Sequence, residues 1–521
     1  MSTYKDTTEY WFFRRRLKLE LLKQRYSPES VASAYTKCIN KTPEGLSLIN
    51  KIYDNISQST KSKISTPIET HPVILSARRR WERHVVAALE DLRRESKLPL
   101  VDSVTSSSVD FMSLRYVWEP EELFSVLQSL SSPNRNNEPS LSPWGLIKLS
   151  IHVPSLTNLA NEFTELSPNK YVQIGVDDLT FNNSNNNSVN SRIKLAADVA
   201  GKHYPPQCRH FCRQGVPSAF RPHIWAGVFS FKLQNIREIK TQMTLDKYVF
   251  ECLVGNSDST IYLVDHLIQM DTTFNSQTDS FFPFEERIVN ILSAFNRDGR
   301  VAEKCQEVKT SFIEQPCLVR NSKDSPRGKI SKISNFDKTN SDQQSFNSNK
   351  AETINYPPSG VIPFKGISLF AAPFCFLSSE EGICYELFRN VYCHYFSKLT
   401  CISGNSQCIL GLCKAFESFL LEKEIELFTF LLEKEIQPLT IAFSWMFYGF
   451  VNYITIDQFF LLWDRIIGFD DLIFLPLLAA AIFSFRKERI LKCSNDEEIY
   501  EIFEDGTQLI VIPLIQNFIF N

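Results

Sequence analysis

Apolar residues recur at helical spacing through most of the chain. Near the N-terminal end, Trp81, Val85, Ala88 and Leu89 fall on one face of a predicted helix, while most of the neighbouring arginines fall elsewhere. The same periodicity predicts helices over residues 288–295, 384–395 and 459–466. The chain is therefore predicted to be mainly helical.

One segment is apolar without periodicity. It runs over 14 residues from Leu472 to Phe485, directly after two aspartates and before Arg486. A helix that spans a bilayer needs about 20 such residues, so this segment is predicted to be a buried core helix.

Polar stretches interrupt the helical pattern and indicate how the chain is organised. Three of them, residues 102–110, 131–142 and 182–191, are typical of loops. The fourth, residues 320–356, is rich in Ser, Asn, Lys and Asp and is too long for a structureless loop within a compact domain. We therefore predict an all-α fold with a helical N-terminal region (1–180), a linker (181–202) and a helical domain (203–517) that carries a disordered insertion at about 320–356.

Composition supports helices and reveals a charge asymmetry. The 521 residues include only 17 Gly but 41 Phe, which argues against a turn-rich β fold and for large aromatic cores. The net charge is −3, yet residues 1–100 contain 19 Lys and Arg against 11 Asp and Glu. A basic N-terminal region is thus attached to an acidic body.

The cysteines and the N-terminus bear on localisation. Most of the 13 Cys lie singly in apolar runs, which favours reduced, buried thiols. The first 30 residues lack the apolar core of a signal peptide, since Arg14, Arg15 and Arg16 follow soon after Trp11. We expect a cytoplasmic protein.

The basic helix around Trp81 has two interpretations. It could lie on an anionic membrane or a partner, or it could be an ordinary packed helix with a solvated arginine face, which we favour. A nucleic-acid partner is not expected, because no aromatic and basic recognition motif accompanies the charge.

Signatures of common enzymes and metal sites are missing from the sequence. There is no phosphate-binding loop, nucleophile elbow or dinucleotide fingerprint, so no cofactor is expected. Cys208 and Cys212, with His203 and His210 nearby, would form only half of a structural zinc site. We predict free thiols there and no metal.

Five motifs in a fixed order suggest a family. Gly215, Pro217, Arg221 and Trp225 form a loop and helix start that resembles the opening of the TBC domain, the helical domain of Rab GTPase-activating proteins. The later motifs are Ile268 to Asp271, the segment from Gly366 to Pro373, Trp445, and the pair Trp463 and Asp464. The resemblance covers roughly residues 205–515, and the long N-terminal extension is similar to that of one branch of the family.

The resemblance implies a partner and two catalytic positions. Members of this family stimulate GTP hydrolysis by Rab-type small GTPases, supplying an arginine from Ile-x-x-Asp-x-x-Arg and a glutamine from Tyr-x-Gln, while GTP and Mg belong to the partner. Counted from Asp271, the arginine position holds Phe274, and the glutamine position holds Lys365. A phenyl ring cannot neutralise a phosphate, and a lysine ammonium has three donors but no acceptor with which to orient water.

Both catalytic fingers are therefore predicted to be absent. Two alternatives remain open: Lys365 could replace the arginine electrostatically, or Arg287, Arg297 or Arg300 could move into place. We expect a Rab-binding regulator of vesicle trafficking, peripheral on endomembranes, that is a GTPase activator or a catalytically weak or inactive relative. The alternative is a membrane-associated helical adaptor that acts through the basic N-terminal region.

Overall fold

The computed structural model describes somewhat more than three fifths of the chain. The described residues are 72–98, 101–103, 114–130, 151–168, 173–176, 186–229, 250–251, 253–255, 260–276, 281–306 and 357–521. The basic residues 1–71 and the predicted insertion at 320–356 lie outside them.

The fold is all-α, as predicted. The N-terminal part of the described chain contains α1 (Pro72–Ser96), α2 (Pro120–Ser129), α3 (Leu156–Glu162), α4 (Asn186–Lys202), α5 (Pro205–Cys212), α6 (Arg221–Val228), α7 (Leu263–Asn275), α8 (Glu285–Arg297) and α9 (Gly299–Gln306). After the undescribed segment follow α10 (Ile367–Ala371), α11 (Glu381–Val391), α12 (Ser397–Leu399), α13 (Ile409–Lys423), α14 (Ile425–Glu433), α15 (Pro438–Phe447), α16 (Ile456–Phe469), α17 (Phe474–Ile490), α18 (Asp496–Glu504) and α19 (Val511–Phe520).

Two short strands are the one sheet among the described residues. Strand β1 (Val101–Ser103) pairs antiparallel with β2 (Thr260–Tyr262), and Asp102 lies opposite Ile261. The sheet joins the N-terminal region to the residues that immediately precede α7.

The periodic segments form the predicted helices. Trp81, Val85, Ala88 and Leu89 are all buried on one face of α1. The apolar segment after Leu472 becomes α17, whose middle is buried in the core. No described helix combines the length and apolar character that crossing a bilayer requires.

The prediction of a loop at residues 182–191 and a linker at 181–202 is wrong for residues 186–202, which form α4. Ala196 and Val199 are buried on this helix. Burial of these apolar side chains offsets the weak helix propensity of the Asn and Ser at its start.

The described N-terminal segments pack directly on the C-terminal helices. The ring of Trp118 stacks on Phe364 with the ring centroids 4.5 Å apart and meets Trp81 edge to face at 5.3 Å. On α2, Phe124 packs against Phe443 of α15 at 4.6 Å. The N-terminal region thus contributes to the core beneath the segment that carries Lys365.

Candidate functional site

The opening and late motifs meet at one buried carboxylate. Asp464 on α16 is fully buried and accepts a hydrogen bond from the main-chain N–H of Val216 at 2.9 Å. It also accepts two from the Arg221 guanidinium, both at 3.1 Å, and one from the Trp225 indole at 2.9 Å. Since every partner is itself buried, this arrangement joins α6 to α16 and is structural rather than exposed to a ligand.

Gly215 and Trp463 complete the same structural centre. Gly215 has a φ of +89°, and a Cβ there would lie 2.7 Å from Nη1 of Arg465. The Trp463 indole N–H donates to the Gly449 carbonyl at 3.1 Å. Pro217 precedes the short 3-10 turn Ser218–Phe220 that leads into α6. Gly215, Pro217 and Trp463 therefore have structural roles, in a turn and in packing, and none of them offers a polar group to a ligand.

Asp271 joins the two segments that hold the candidate catalytic positions. This buried carboxylate on α7 accepts hydrogen bonds from the Gly366 N–H at 2.7 Å, the Ser368 N–H at 2.9 Å and the Ser368 hydroxyl at 2.6 Å. Burial raises the pKa of Asp271, and the hydrogen bonds from Ser368, Gly366 and Tyr116 oppose that shift. The segment after Lys365 is consequently fixed to α7.

The turn at Gly366 requires glycine. Its φ is +86°, and a Cβ at this position would lie 2.5 Å from Cε1 of Tyr448. The Tyr448 hydroxyl donates to the Lys365 carbonyl at 2.8 Å. Further along, Pro373 is buried in the 3-10 turn Ala372–Phe376. The turn therefore fixes the main chain of Lys365 against α15.

Phe274 lies at the end of α7, where its side chain is 56% exposed. Its neighbour Asn275 donates to the Ser368 hydroxyl at 2.8 Å, and Thr273 donates to Glu285 at 2.8 Å. The end of α7 is thus held between α8 and the segment after Gly366. The side chain of Phe274 points into solvent from a fixed backbone.

Lys365 is partly exposed and already has a partner. The ammonium of Lys365 lies 2.9 Å from the Glu119 carboxylate. The main-chain N–H of Lys365 donates to the Trp118 carbonyl at 3.2 Å. The hydrogen bond to Glu119 raises the pKa of Lys365. The ammonium therefore stays charged, and that charge is balanced by the carboxylate.

The three arginines considered as substitute fingers are all engaged in structural contacts. Arg297 makes two hydrogen bonds to Asp265, at 2.8 and 2.6 Å. Arg300 donates to Asp298 from Nε at 2.9 Å and from Nη2 at 2.9 Å. Arg287 donates to the carbonyls of residues 375, 378 and 379. Moving any of them would break these contacts.

Sequence reasoning missed the contribution of the N-terminal region to this site. The missed residues are Tyr116, Trp118 and Glu119, which contact Asp271, Phe364 and Lys365. These contacts join residues that are far apart in sequence; Glu119 and Lys365, for example, are separated by 246 residues. No local spacing in the sequence indicates such contacts. Ser368 lies within the motif from Gly366 to Pro373, but the sequence does not indicate its hydrogen bonds to Asp271.

The predicted thiols near α5 are free. Cys208 and Cys212 are buried, and burial raises the pKa of Cys208 to about 11. Within the described ranges, no three His, Cys, Asp or Glu side chains are arranged to hold a metal ion.

Comparisons with known proteins agree with this architecture. Residues 364–491 match the sequence model of the Rab-GTPase-TBC domain. The chain is 29% identical to TBC1 domain family member 19 from Homo sapiens in an alignment of 544 positions, which covers 97% of this chain and 92% of the human protein. No solved structure matches the chain. The resemblance inferred from the motifs is confirmed: residues 364–491 match the Rab-GTPase-TBC domain, and the chain is similar over almost its whole length to TBC1 domain family member 19.

Proposed function

We propose that this chain binds a small GTPase of the Rab class through the face at which the end of α7 meets the segment from Phe364 to Ser368. The observation that carries the proposal is the buried Asp271, whose hydrogen bonds to Gly366 and Ser368 bring the two family motifs together. Both Phe274 and Lys365 reach solvent at this junction. Two segments distant in sequence therefore offer one surface to a partner.

The chemistry of this face favours binding over catalysis. Accelerating GTP hydrolysis requires a cation on the γ-phosphate and a group that orients water. Phe274 supplies neither, and the charge of Lys365 is balanced by Glu119. We propose a catalytically weak or inactive relative of the Rab GTPase-activating proteins that acts in the cytoplasm, at endomembranes, in vesicle trafficking.

A binding experiment with one matched control tests this proposal. The full chain is titrated with a panel of purified Rab proteins loaded with GDP, a GTP analogue or a transition-state analogue. Phe274→Asp is expected to weaken binding roughly tenfold or more, because it puts a charge in the centre of the contact. Phe485→Asp replaces a somewhat more exposed phenylalanine on α17 and is expected to bind normally. Failure of every Rab in every nucleotide state to bind would refute the proposal.

The membrane adaptor remains a second candidate, supported by Arg79, Arg80 and Arg83, which are exposed on α1. The apolar face of α1 is covered, since Trp81 packs on Trp118, so only charge is available to lipid headgroups. Pelleting of the full chain with anionic vesicles at low salt, and with neutral vesicles as control, tests it. Replacing the three arginines by glutamine should abolish any binding that depends on them.

A further inference from the structure

We infer that Glu119 is a positioning residue of the proposed GTPase-binding face, which holds the Lys365 ammonium away from the phosphates of a bound partner. The inference rests on the proposed function and extends it to the N-terminal region. It concerns a residue that lies outside the matched domain, residues 364–491.

The N-terminal segment Leu114–Glu119 contacts the segment from Phe364 to Ser368 at four points. The Trp118 ring stacks on Phe364, and the Trp118 carbonyl accepts the Lys365 N–H. Glu119 pairs with the Lys365 ammonium, which also lies 6.0 Å from the centre of the Tyr116 ring. This segment therefore contacts both the main chain and the side chain of Lys365.

Glu119 is itself held in place by the start of α2. Its N–H donates to the Glu122 carboxylate at 3.1 Å, and its carbonyl accepts the Glu122 N–H at 3.1 Å. Pro120 then starts the helix. Because the backbone of Glu119 is already fixed, its carboxylate can hold the Lys365 ammonium with little further loss of conformational entropy.

The charges around Lys365 are unfavourable for phosphate. Glu119, Glu121 and Asp271 all interact electrostatically with its ammonium. Three carboxyl groups therefore offset the single positive charge of Lys365, and this part of the face does not attract a γ-phosphate. Removing Glu119 would therefore release a cation at the position where the family resemblance places a catalytic group.

The contact between Glu119 and Lys365 contributes little to the stability of the fold. The side chains of Lys365 and Glu119 are 37% and 39% exposed, and ion pairs at such sites contribute about 0–1 kcal/mol to stability. Glu119 should thus affect the response to nucleotide without affecting the fold.

The test compares Glu119→Gln with Glu95→Gln in the full chain. Glu95 forms a similar exposed ion pair, with Arg115 of the same N-terminal segment, so it controls for loss of one negative charge. The first readout is the pKa of Lys365 in the protein without a partner, measured by NMR of the protein with methylated lysines. We expect it to fall in Glu119→Gln and to stay unchanged in Glu95→Gln; an unchanged value in both would overturn the inference, whatever the protein binds.

The second readout is the affinity for the Rab that binds, loaded with a GTP analogue or with GDP. Glu119→Gln should raise the preference for the GTP form roughly three- to tenfold, and Lys365→Ala in the same protein should abolish that gain. An unchanged preference would overturn the inference and leave the proposed function intact. Absence of binding by both wild type and Glu119→Gln would instead refute the proposed function, and with it the inference.

Discussion

Asp271 accepts a hydrogen bond from the main-chain N–H of Gly366 at 2.7 Å, across 95 residues of sequence. This contact fixes the end of α7 beside the segment that carries Lys365. The candidate face is therefore formed by both motifs, the end of α7 and the segment after Lys365.

Asp271→Asn should destabilise the protein by about 2–3 kcal/mol. The amide NH₂ group cannot accept a hydrogen bond, so one of the donors at Gly366 or Ser368 would lose its partner in a buried site. Denaturant unfolding measures the loss. Glu286→Gln, an exposed change on the adjacent helix α8, should have little effect, and equal stability of the two variants would contradict the role of Asp271.

Gly366→Ala should cost about 2 kcal/mol or more. A positive φ is unfavourable for alanine, and the new methyl group would overlap Tyr448. Gly299→Ala is the control, because no atom lies within 4 Å of a Cβ at that position. Unfolding free energies of the two variants check the prediction, and a harmless Gly366→Ala would show that the turn is not constrained.

Asp464→Asn should destabilise the protein by about 3–5 kcal/mol, since it removes the negative charge that balances the buried Arg221. Asp457→Asn on the same helix is exposed and should change stability by less than about 1 kcal/mol. Thermal and denaturant unfolding distinguish the two. Similar losses in both would contradict a structural centre at Asp464.

Trp118→Ala should cost about 3–5 kcal/mol, because the Trp118 ring packs between Trp81, Phe364 and Phe447. The unfolding free energy from denaturant titration measures this loss. The exposed change Phe485→Ala serves as control and should stay within about 0.5 kcal/mol of wild type. A small effect of Trp118→Ala would mean that the N-terminal region is dispensable to the core.

Acid should weaken the protein partly through Asp298. Burial opposes ionisation of this carboxyl, yet its contacts with Arg300, Arg389 and Tyr385 lower its pKa below 3.8. The stabilising contribution is therefore present above pH 3.8 and is lost as the pH falls through the lower pKa of the folded state. The stability difference between wild type and Asp298→Asn should shrink between pH 6 and pH 3; a constant difference would contradict this.

Local periodicity was enough to predict several of the helices and their buried faces. The face of α1 that contains Trp81 and Val85 follows directly from the 3.6-residue period. Helix α4 was missed because its Asn- and Ser-rich start has a loop-like composition, and the burial of Ala196 and Val199 became visible only in the fold.

The candidate site was predictable only in part. The motifs and their order along the chain were enough to place Asp271, Phe274 and Lys365 at the candidate site. The pairing of Lys365 with Glu119 spans 246 residues and depends on how the N-terminal region packs. Long-range ion pairs of this kind leave no periodic signal in the sequence.

Single-turnover GTP hydrolysis by a bound Rab tests the central claim most directly. Wild-type protein in excess should leave the rate nearly unchanged, whereas the double variant Phe274→Arg, Lys365→Gln should raise it by at least about tenfold, because it restores both groups that the reaction needs. Acceleration by the wild-type protein, lost on Lys365→Ala, would contradict the account and show that Lys365 acts as a catalytic cation.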